Sequence, residues 1–276
     1  MTSLFIDWSN LKHRALYVAL KDNPWDTEKF VHWKQIMFNL LRHYVRAFSP
    51  TEVVVAGDVQ PSWRKQLWPD YKANRDHSSE YHERLRKVED EYWDTLSTML
   101  PNVHWLRMPF VEADDIIATL AETRDNDIVC VSSDKDFVQL LRRKNFRLYD
   151  PNKNEFVACE DPEWQLKKKI LLGDKSDNIP GIKRGLGPKK AEALRDPDKF
   201  LAFLEADPEA MANYSRNATL IDMAKIPPEL RTIVRSAYGK RKGPFDPSVC
   251  AKTFLKLFPT EMTSVTEVCA IFFPIA

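Results

Sequence analysis

Three short apolar runs of strand length each lead into an aspartate, and this repeated pattern constrains the fold more than any other feature. The runs read SLFID, TEVVVAGD and DIVCVSSD, and they deliver Asp7, Asp58 and Asp134. Continuous apolar character is typical of strands that are buried on both faces of a parallel sheet. Because parallel strands with crossover connections emerge at one edge, these three carboxylates are predicted to meet there.

The segments between these runs have helical periodicity. Apolar residues recur at every third or fourth position over residues 29–48, and Glu80 to Leu100 reads as a charged helix. Residues 103–110 are a further strand candidate, and Trp8-Ser9-Asn10 is predicted to be a turn. The alternation predicts an α/β fold with a mostly parallel central sheet flanked by helices.

Further acids surround the third aspartate run. Glu112, Asp114 and Asp115 open an apolar helix-like segment, and Glu112 and Asp115 are three apart, so they share a helical face. Asp134 and Asp136 are two apart, and in extended or turn geometry they point the same way. Like charges at such density repel unless a cation lies among them, and oxygen ligands without His or Cys select Mg²⁺, with Mn²⁺ as a substitute.

The chain changes character after Cys159. Residues 164–172 read as a helix, and Asp174 and Asp177 follow it, three apart, so that they are predicted to share a helical face toward the same metal site. A glycine turn then precedes a helix that begins with lysines, which is an arrangement that cradles phosphate without reading bases. The residues of this turn and helix are Gly185, Gly187, Lys189 and Lys190.

A formal net charge of +1 hides an uneven distribution. Residues 167–195 are rich in lysine and poor in acids, and a second basic region lies between residues 62 and 87. If cations neutralise the acids, the surface facing a ligand becomes positive and favours a polyanion; the alternative is that these charges cover solvated helix faces. The basic residues of the second region are Arg64, Lys65, Lys72, Arg75, Arg84, Arg86 and Lys87.

Cysteine usage and hydropathy bear on the compartment. The four cysteines lie far apart without a CxxC pair, which favours neither a zinc site nor a disulfide framework and fits a reducing cytoplasm. The first residues carry Asp7 within an apolar run and no basic leader, so no signal peptide is expected. No apolar segment approaches the length that spans a bilayer, and we expect a cytoplasmic protein with no membrane partner.

Six motifs in order give the chain a resemblance to the structure-specific 5′-nuclease family, the flap endonuclease and 5′→3′ exonuclease group. Its phage members, of the T4 ribonuclease H type and the T5 flap nuclease type, are nearest in pattern, which would place the protein in a host cytoplasm. The segment YSRNATLID at 214–222 is also similar to the phage enzymes. The motifs are IDWSN (6–10), GD (57–58), YKANR (71–75), EADD (112–115), SSDKDF (132–137) and GDKSDNIPGI…GLGPKKA (173–191).

The resemblance implies an α/β nuclease domain over residues 1–162, of the type also found in PIN domains, with a helical arch at about 60–98. A helical region with a helix–hairpin–helix element for duplex DNA would occupy residues 163–276. The implied activity is two-metal, Mg²⁺-dependent hydrolysis of DNA, and of RNA in RNA–DNA hybrids, near 5′ ends during replication, primer removal or repair. The implied substrates are 5′ flaps, nicks and single-strand/duplex junctions, bound by a monomer.

The resemblance also assigns roles to single residues. The first metal site takes Asp7, Asp58, Glu112, Asp114 and Asp115, and the second takes Asp134, Asp136, Asp174 and Asp177. Lys72 and Arg75 match basic groups that face the scissile phosphate, and Tyr71 matches an aromatic on which a base stacks. The remaining residues expected at nucleic acid are Arg64, Lys65, Arg84, Gly185, Gly187, Lys189 and Lys190.

Two positions differ from the family's pattern. The hairpin PGIKRGLG is one residue longer than usual, which bears on any K⁺ held by its carbonyls, and Trp8 stands where many members have glycine. The apolar segment VCAIFFPIA at 268–276 either docks on a sliding clamp or single-strand-binding protein or packs on its own core.

Three other functions compete with this reading. The first is a non-catalytic DNA-binding protein of the same fold, and the second is a PIN-like ribonuclease. The third is a haloacid-dehalogenase-type phosphatase, which needs an Asp-x-Asp pair where this chain has Ser9.

Overall fold

A single mostly parallel sheet forms the centre of the molecule. The computed structural model describes residues 1–19, 27–75, 80–240, 243–258 and 265–272. Within these ranges the strands are β1 (Thr2–Asp7), β2 (Glu52–Ala56), β3 (His104–Leu106), β4 (Asp127–Val131), β5 (Phe146–Asp150) and β6 (Glu155–Phe156). Their order is β3-β2-β1-β4-β5-β6, and only β6 pairs antiparallel. The α/β prediction is confirmed.

Helices cover both faces of the sheet and build the C-terminal region. Two 3₁₀ helices, Lys135–Arg142 and Met223–Lys225, supplement them. The α-helices of the described ranges are α1 (Trp8–Ala19), α2 (Thr27–Phe48), α3 (Arg64–Leu67), α4 (Glu80–Met99), α5 (Ala113–Glu122), α6 (Pro162–Leu172), α7 (Pro188–Ala193), α8 (Pro197–Glu205), α9 (Pro208–Ile221), α10 (Pro228–Tyr238), α11 (Pro247–Leu257) and α12 (Val265–Phe272).

Alternate side chains of the central strands enter two separate cores. On β1, Leu4 and Ile6 belong to the core beneath α1, α2 and α4, whereas Phe5 belongs to the core beneath α5. All three side chains are fully buried. This two-sided burial explains why the strands are apolar throughout instead of alternating.

Two local predictions were wrong. Trp8-Ser9-Asn10 is the first turn of α1, because Trp8 is buried against the aromatic rings of Trp93 and Trp105 and the helix follows β1 without a loop. Asp174 and Asp177 lie in a turn closed by an antiparallel bridge between Asp174 and Ile179, instead of on a helix. The positive φ of Gly173 and of Asn178 permits this tight turn.

The C-terminal half contributes to all of the hydrophobic cores. Helix α6 begins at Pro162, where the sequence predicted the second region, and it packs with α7 and α9 around a separate small core. The 3₁₀ helix Met223–Lys225 and α10, however, complete the core beneath α5, while α11 and α12 complete the core beneath α2. The predicted boundary after residue 162 is therefore not a division of the hydrophobic core.

The apolar tail is in part a core element. Phe272 is fully buried, and its ring centroid lies 6.0 Å from that of Phe38 on α2. This supports packing on the protein's own core up to residue 272, and residues 273–276 lie outside the described residues. None of the described helices combines the length and the apolar character needed to cross a membrane.

Candidate active site

One large cavity lies at the carboxyl edge of the sheet. Its volume is about 1860 Å³, and eight of the nine predicted metal ligands line it. The exception is Asp115, which is completely buried behind the wall. Because β1, β2 and β4 are parallel neighbours, their carboxyl ends place the three aspartates of the apolar runs in this cavity, as the sequence predicted.

Ser132 links two of the strand-end aspartates, Asp7 and Asp134, and separate hydrogen bonds hold the third, Asp58. Ser132 Oγ donates to Asp7 Oδ2 at 2.8 Å and accepts from the backbone N–H of Asp134 at 3.0 Å. Ser9 donates to Asp58, whose other oxygen accepts from the N–H of Ala113 at 2.7 Å. Burial, with repulsion from Asp58, raises the pKa of Asp7 to about 7. A carboxylate in this position is stabilised by any nearby cation.

Glu112, Asp114 and Asp115 form the first of two carboxylate clusters, with ligand atoms within 4.8 Å of one another. Glu112 caps the N-terminus of α5, and Asp115 accepts from the backbone N–H of Glu112 in return, which is a reciprocal capping box. Burial opposes ionisation of Glu112, but Lys72 and Arg64 outweigh it and lower its pKa to about 2. Burial raises the pKa of Asp114 well above its ordinary value.

Arg64 was predicted to contact nucleic acid, but the structure buries it. Its side chain is 2% exposed, and its guanidinium lies between Glu112 and Asp115, with N–O distances of 2.7 and 2.8 Å. Its Nε also donates to the carbonyl of Leu220 at 2.8 Å. Asp115 accepts from Trp63 as well, at 2.9 Å. Arg64 therefore binds the first cluster from behind the cavity wall, and neither Arg64 nor the predicted ligand Asp115 lines the cavity.

Tyr71 was predicted to stack on a base, but the structure buries it as well. It is 2% exposed, so its ring is not available for stacking. Its hydroxyl lies 3.1 Å from Glu112 Oε2 and 3.2 Å from Asp177 Oδ2, and thus links the two clusters. The neighbouring Lys72 has a left-handed backbone (φ 55°), and its ammonium group contacts Glu112 within the cavity. Arg75 pairs with Asp177 at 2.6 Å.

The second cluster consists of Asp136, Asp174 and Asp177, again within 4.8 Å. Burial raises the pKa of Asp136 and of Asp177. Lys169 of α6 contacts Asp136 and lies 2.6 Å from Asp174. Lys169 was not among the residues predicted for the site. The sequence feature that could have indicated it is its position on α6, five residues before Asp174. From that position its side chain reaches the turn that carries Asp174.

Hydrogen bonds attach the loop of Lys72 to the turn of the second cluster. The N–H of Lys72 donates to the carbonyl of Asp177 at 2.9 Å, and the amide of Asn178 donates to the carbonyl of Asp70 at 2.9 Å. Asn74 donates to the carbonyl of Lys175 at 3.0 Å. The basic loop and the second cluster are therefore positioned together.

The other expected nucleic-acid residues have different surroundings. Lys65 lines the cavity, whereas Arg84 lies over the ring of Phe30 on α2, at 5.5 Å from its centroid. Arg86 of α4 lines the cavity in its place. The hairpin lies outside the cavity with an exposed Gly185 at φ 81° and no heavy atom within 4 Å of an added Cβ. Gly187 caps α7, and Lys189 and Lys190 are exposed on its first turn.

A model of one protein family matches this chain. The matched family is described as "5′-3′ exonuclease, N-terminal resolvase-like domain", and the match covers residues 2–169. This chain belongs to the 5′–3′ exonuclease family. Its members are DNA 5′ nucleases, which are phosphodiesterases, and divalent metal dependence is general among them.

Two relatives agree with this membership in the 5′–3′ exonuclease family. The flap endonuclease Xni of Shewanella denitrificans is 32% identical over 213 residues, which are 73% of this chain and 79% of that protein. A 5′-3′ exonuclease of Mycoplasmopsis pulmonis is 28% identical over 214 residues, which are 72% of this chain and 67% of that protein.

The fold is also similar to that of the T5 D15 protein, which was co-crystallised with metal ions. The TM-score is 0.66 at 18% identity, and the match covers 95% of this chain and all of that one. The likeness shows the shared fold. The carboxylate clusters of this 5′–3′ exonuclease are oxygen-only and partly desolvated, which suits divalent metal ions.

Proposed function

We propose that this protein is a Mg²⁺-dependent 5′→3′ exonuclease and flap endonuclease that hydrolyses DNA near 5′ ends. The observation that carries the proposal is the cavity in which eight acids of separate motifs meet basic groups from the loop at 71–75. Among the metals that its family uses, an oxygen-only donor set favours Mg²⁺, with Mn²⁺ as a substitute. Two such ions, when bound, lower the pKa of water and stabilise the leaving 3′ oxygen.

The protein's own groups divide into ligands and supports. Asp7, Asp58, Glu112 and Asp114 are proposed to hold the first ion, and Arg64 with Asp115 keeps this set in place from behind. The second ion is assigned to the strand-end and turn acids. These are Asp134, Asp136, Asp174 and Asp177.

The basic groups are proposed to act on the phosphate. Lys72 and Arg75 reach Glu112 and Asp177 from the same loop, so both can turn to a phosphate that lies between the clusters. Their positive charges would stabilise the charge that builds on the phosphate during hydrolysis. The left-handed backbone of Lys72 and its hydrogen bond to Asp177 fix where this loop presents them.

The substrate is proposed to be DNA with a 5′ flap, nick or single-strand/duplex junction, and also RNA in an RNA–DNA hybrid. A structure of the T5 D15 protein is a pseudo-enzyme-product complex with DNA and metal ions, which supports a DNA substrate here. The exposed Gly185, the N-cap residue Gly187 and the exposed lysines Lys189 and Lys190 are proposed to bind duplex phosphates, with K⁺ at the hairpin carbonyls. We further propose a cytoplasmic monomer.

Asp134→Asn tests the ligand assignment. Because Asp134 is assigned to the second ion, its replacement is expected to abolish cleavage of a 5′-flap duplex in Mg²⁺. Because its side chain is exposed, folding and DNA affinity are expected to persist. Asp125→Asn, at an exposed position outside the cavity, is the matched control. Near-normal turnover of Asp134→Asn would refute the assignment.

Lys72→Ala tests the phosphate contact. Single-turnover cleavage is expected to slow by about 10²–10³, the loss typical of one preorganised electrostatic group. Lys175→Ala, an exposed lysine on the neighbouring turn, provides the comparison. An unchanged rate would remove Lys72 from the reaction. If wild-type protein binds the flap but cleaves no substrate in Mg²⁺, the non-catalytic alternative holds instead.

A further inference from the structure

Most of the segment at residues 214–222 lies in the second half of α9, outside the cavity. Residues 213, 216, 217 and 220 are three or four positions apart, so they share one face of this helix. Helix α9 packs against α6, and its Leu220 lies in a small core with Tyr71 and Ile179. This face of α9 therefore contacts elements that carry site residues and does not line the site itself.

Asn217 is a fully buried polar side chain of this face, with 0% exposure. Its amide nitrogen donates to two backbone carbonyls, that of Ile170 at 3.0 Å and that of Pro180 at 2.7 Å. Its Oδ1 accepts from Nε and Nη2 of Arg216 at 3.1 and 2.9 Å. Since a side-chain amide has two donor hydrogens and two acceptor lone pairs, every hydrogen-bonding position of Asn217 is filled. A buried network that is satisfied in this way fixes the groups that it joins.

The two carbonyls belong to the two ends of the loop that carries two acids of the second cluster. Ile170 lies in the last turn of α6, where backbone carbonyls have no partner within the helix. Pro180 directly follows the antiparallel bridge between residues 174 and 179, whose two hydrogen bonds are both 2.8 Å long. Asn217 therefore joins the chain that enters this acidic loop to the chain that leaves it.

The acidic loop has no space in which to absorb a change at its ends. A Cβ added to Gly173 would lie 2.3 Å from the carbonyl oxygen of Ile179 and 2.5 Å from the carbonyl carbon of Pro180. The entering and leaving chains are thus in direct backbone contact. A change in their separation is expected to move the acids between them.

The entering chain also determines where the acidic loop lies relative to Asp136. Ile170 directly follows Lys169, whose ammonium group contacts Asp136 and lies 2.6 Å from Asp174. Helix α6 packs against the 3₁₀ helix that carries Asp136. A change in the spacing between α6 and the leaving chain would therefore move Asp174 and Asp177 relative to Asp136.

Arg216 orients the Asn217 amide and connects α9 to the loop of Lys72. Because Oδ1 of Asn217 accepts from Arg216, the amide presents its NH₂ group to the two carbonyls. The guanidinium of Arg216 also lies over the ring of Trp68, at 4.5 Å from its centroid. The Trp68 indole in turn donates to the carbonyl of Asn178 at 3.3 Å, so the network reaches the acidic loop from a second side.

We propose that Asn217 is a positioning residue for the second metal ion. It holds the two ends of the acidic loop at the separation at which Asp136, Asp174 and Asp177 bind one divalent cation. Residues that orient metal ligands without touching the metal typically change metal affinity by about 10–100-fold when they are replaced. This inference rests on the proposed two-ion function and assigns the support of one ion to α9.

Asn217→Ala tests the proposal, because it removes both donors to the loop ends. Titration calorimetry of the full chain with Mn²⁺, in the absence of DNA, measures the Kd of each ion. One ion is expected to bind about tenfold or more weakly, while the other keeps its Kd. In an Asp58→Asn background, which weakens the first ion, the remaining ion is expected to show the same loss, because the two changes act on separate sites.

Asn213→Ala is the matched control on the same face of α9. Asn213 donates to the carbonyl of Ile182 at 3.0 Å, and its Oδ1 accepts from Arg216 at 2.8 Å. Its replacement removes the same kinds of contact, but at a residue beyond the ends of the acidic loop. Both Kd values for Mn²⁺ are therefore expected to stay unchanged.

Two further readouts separate positioning from a general loss of structure. The Mg²⁺ concentration that half-saturates flap cleavage is expected to rise in Asn217→Ala, while the rate at saturating Mg²⁺ recovers. A smaller folded fraction would instead lower the rate equally at every Mg²⁺ concentration. In metal-free protein, hydrogen exchange of the bridge amides of Asp174 and Ile179 is expected to become faster. If Asn217→Ala does not fold, Asn217→Ser, which keeps one hydroxyl donor, is measured against the same expectations.

The outcomes distinguish this inference from the proposed function. Unchanged Kd values for both ions in Asn217→Ala, or an equal loss in Asn213→Ala, would overturn the role of Asn217 while flap cleavage by the wild type still supports the nuclease. Unaltered exchange of the bridge amides would overturn it as well, since Asn217 would then not hold the loop. A wild-type protein that binds two Mn²⁺ ions but cleaves no flap would instead refute the proposed function.

Discussion

Replacing Arg64 by methionine separates a structural role from a DNA-binding role at one position. The guanidinium is 2% exposed and pairs with Glu112 and Asp115, which are 2% and 0% exposed. Removing one partner of a buried pair costs about 3–5 kcal/mol, because the remaining charges stay desolvated. The carbonyl of Leu220 also loses its donor, at about 1 kcal/mol. This is a large part of the roughly 5–15 kcal/mol that stabilises a folded domain.

Urea unfolding in a chelating buffer measures this loss of stability. The midpoint of Arg64→Met is expected to fall strongly with little change in slope. Lys65→Met is the matched control, because it removes a neighbouring positive charge that lines the cavity. It is expected to change the free energy of unfolding by about 0.5 kcal/mol or less and to weaken DNA binding.

The pH dependence gives a second readout of the same pair. Lys72 and Arg64 hold the folded-state pKa of Glu112 at about 2, below its ordinary 4.5, so this stabilisation is complete above pH 4.5 and is lost as the pH falls toward 2. The stability difference between wild type and Arg64→Met is therefore expected to narrow over that window. A variant with normal stability and reduced DNA affinity would refute the buried-pair reasoning and restore Arg64 to the DNA surface.

Three other changes have defined outcomes. Burial raises the pKa of Asp7 to about 7 from 3.8, so the metal-free wild-type protein should lose stability as the pH rises from 4 to 7. In urea unfolding, Asp7→Asn should lack this loss of stability, and parallel pH profiles of the two proteins would contradict the expectation. Mg²⁺ without DNA should stabilise the protein by about 2.7 kcal/mol at 100 times its Kd, and calorimetry that detects no rise in melting temperature would exclude binding to the folded clusters. Phe272→Ala should destabilise the fold by about 3–5 kcal/mol, and unchanged stability would leave the tail free for a partner.

The convergence of the acids was predictable from the sequence because two regularities combined. Continuous apolar runs indicate strands buried on both faces, and parallel strands with crossover connections share one carboxyl edge. Asp7, Asp58 and Asp134 then had to approach one another whatever the details of the loops. The helices over residues 29–48 and 80–100 followed from periodicity in the same way.

Burial of individual polar residues was not predictable in this way. Arg64 and Lys65 are adjacent and both basic, yet one is enclosed by carboxylates and the other lines the cavity. That difference depends on the direction of α3 relative to α5, which no local pattern encodes. Tyr71 is likewise buried by a contact with a segment distant in sequence, because its hydroxyl lies within hydrogen-bond distance of Asp177.

The return of α10, α11 and α12 to the sheet has a consequence for how the molecule is made. The matched family segment ends at residue 169, but Val234, Phe254 and Phe272 beyond it cover the central layers. During synthesis on the ribosome, both faces of the sheet therefore remain incompletely covered until α10, α11 and α12 emerge. Co-translational folding of the layers that carry the carboxylates is therefore expected to be complete only after the residues up to Phe272 have emerged.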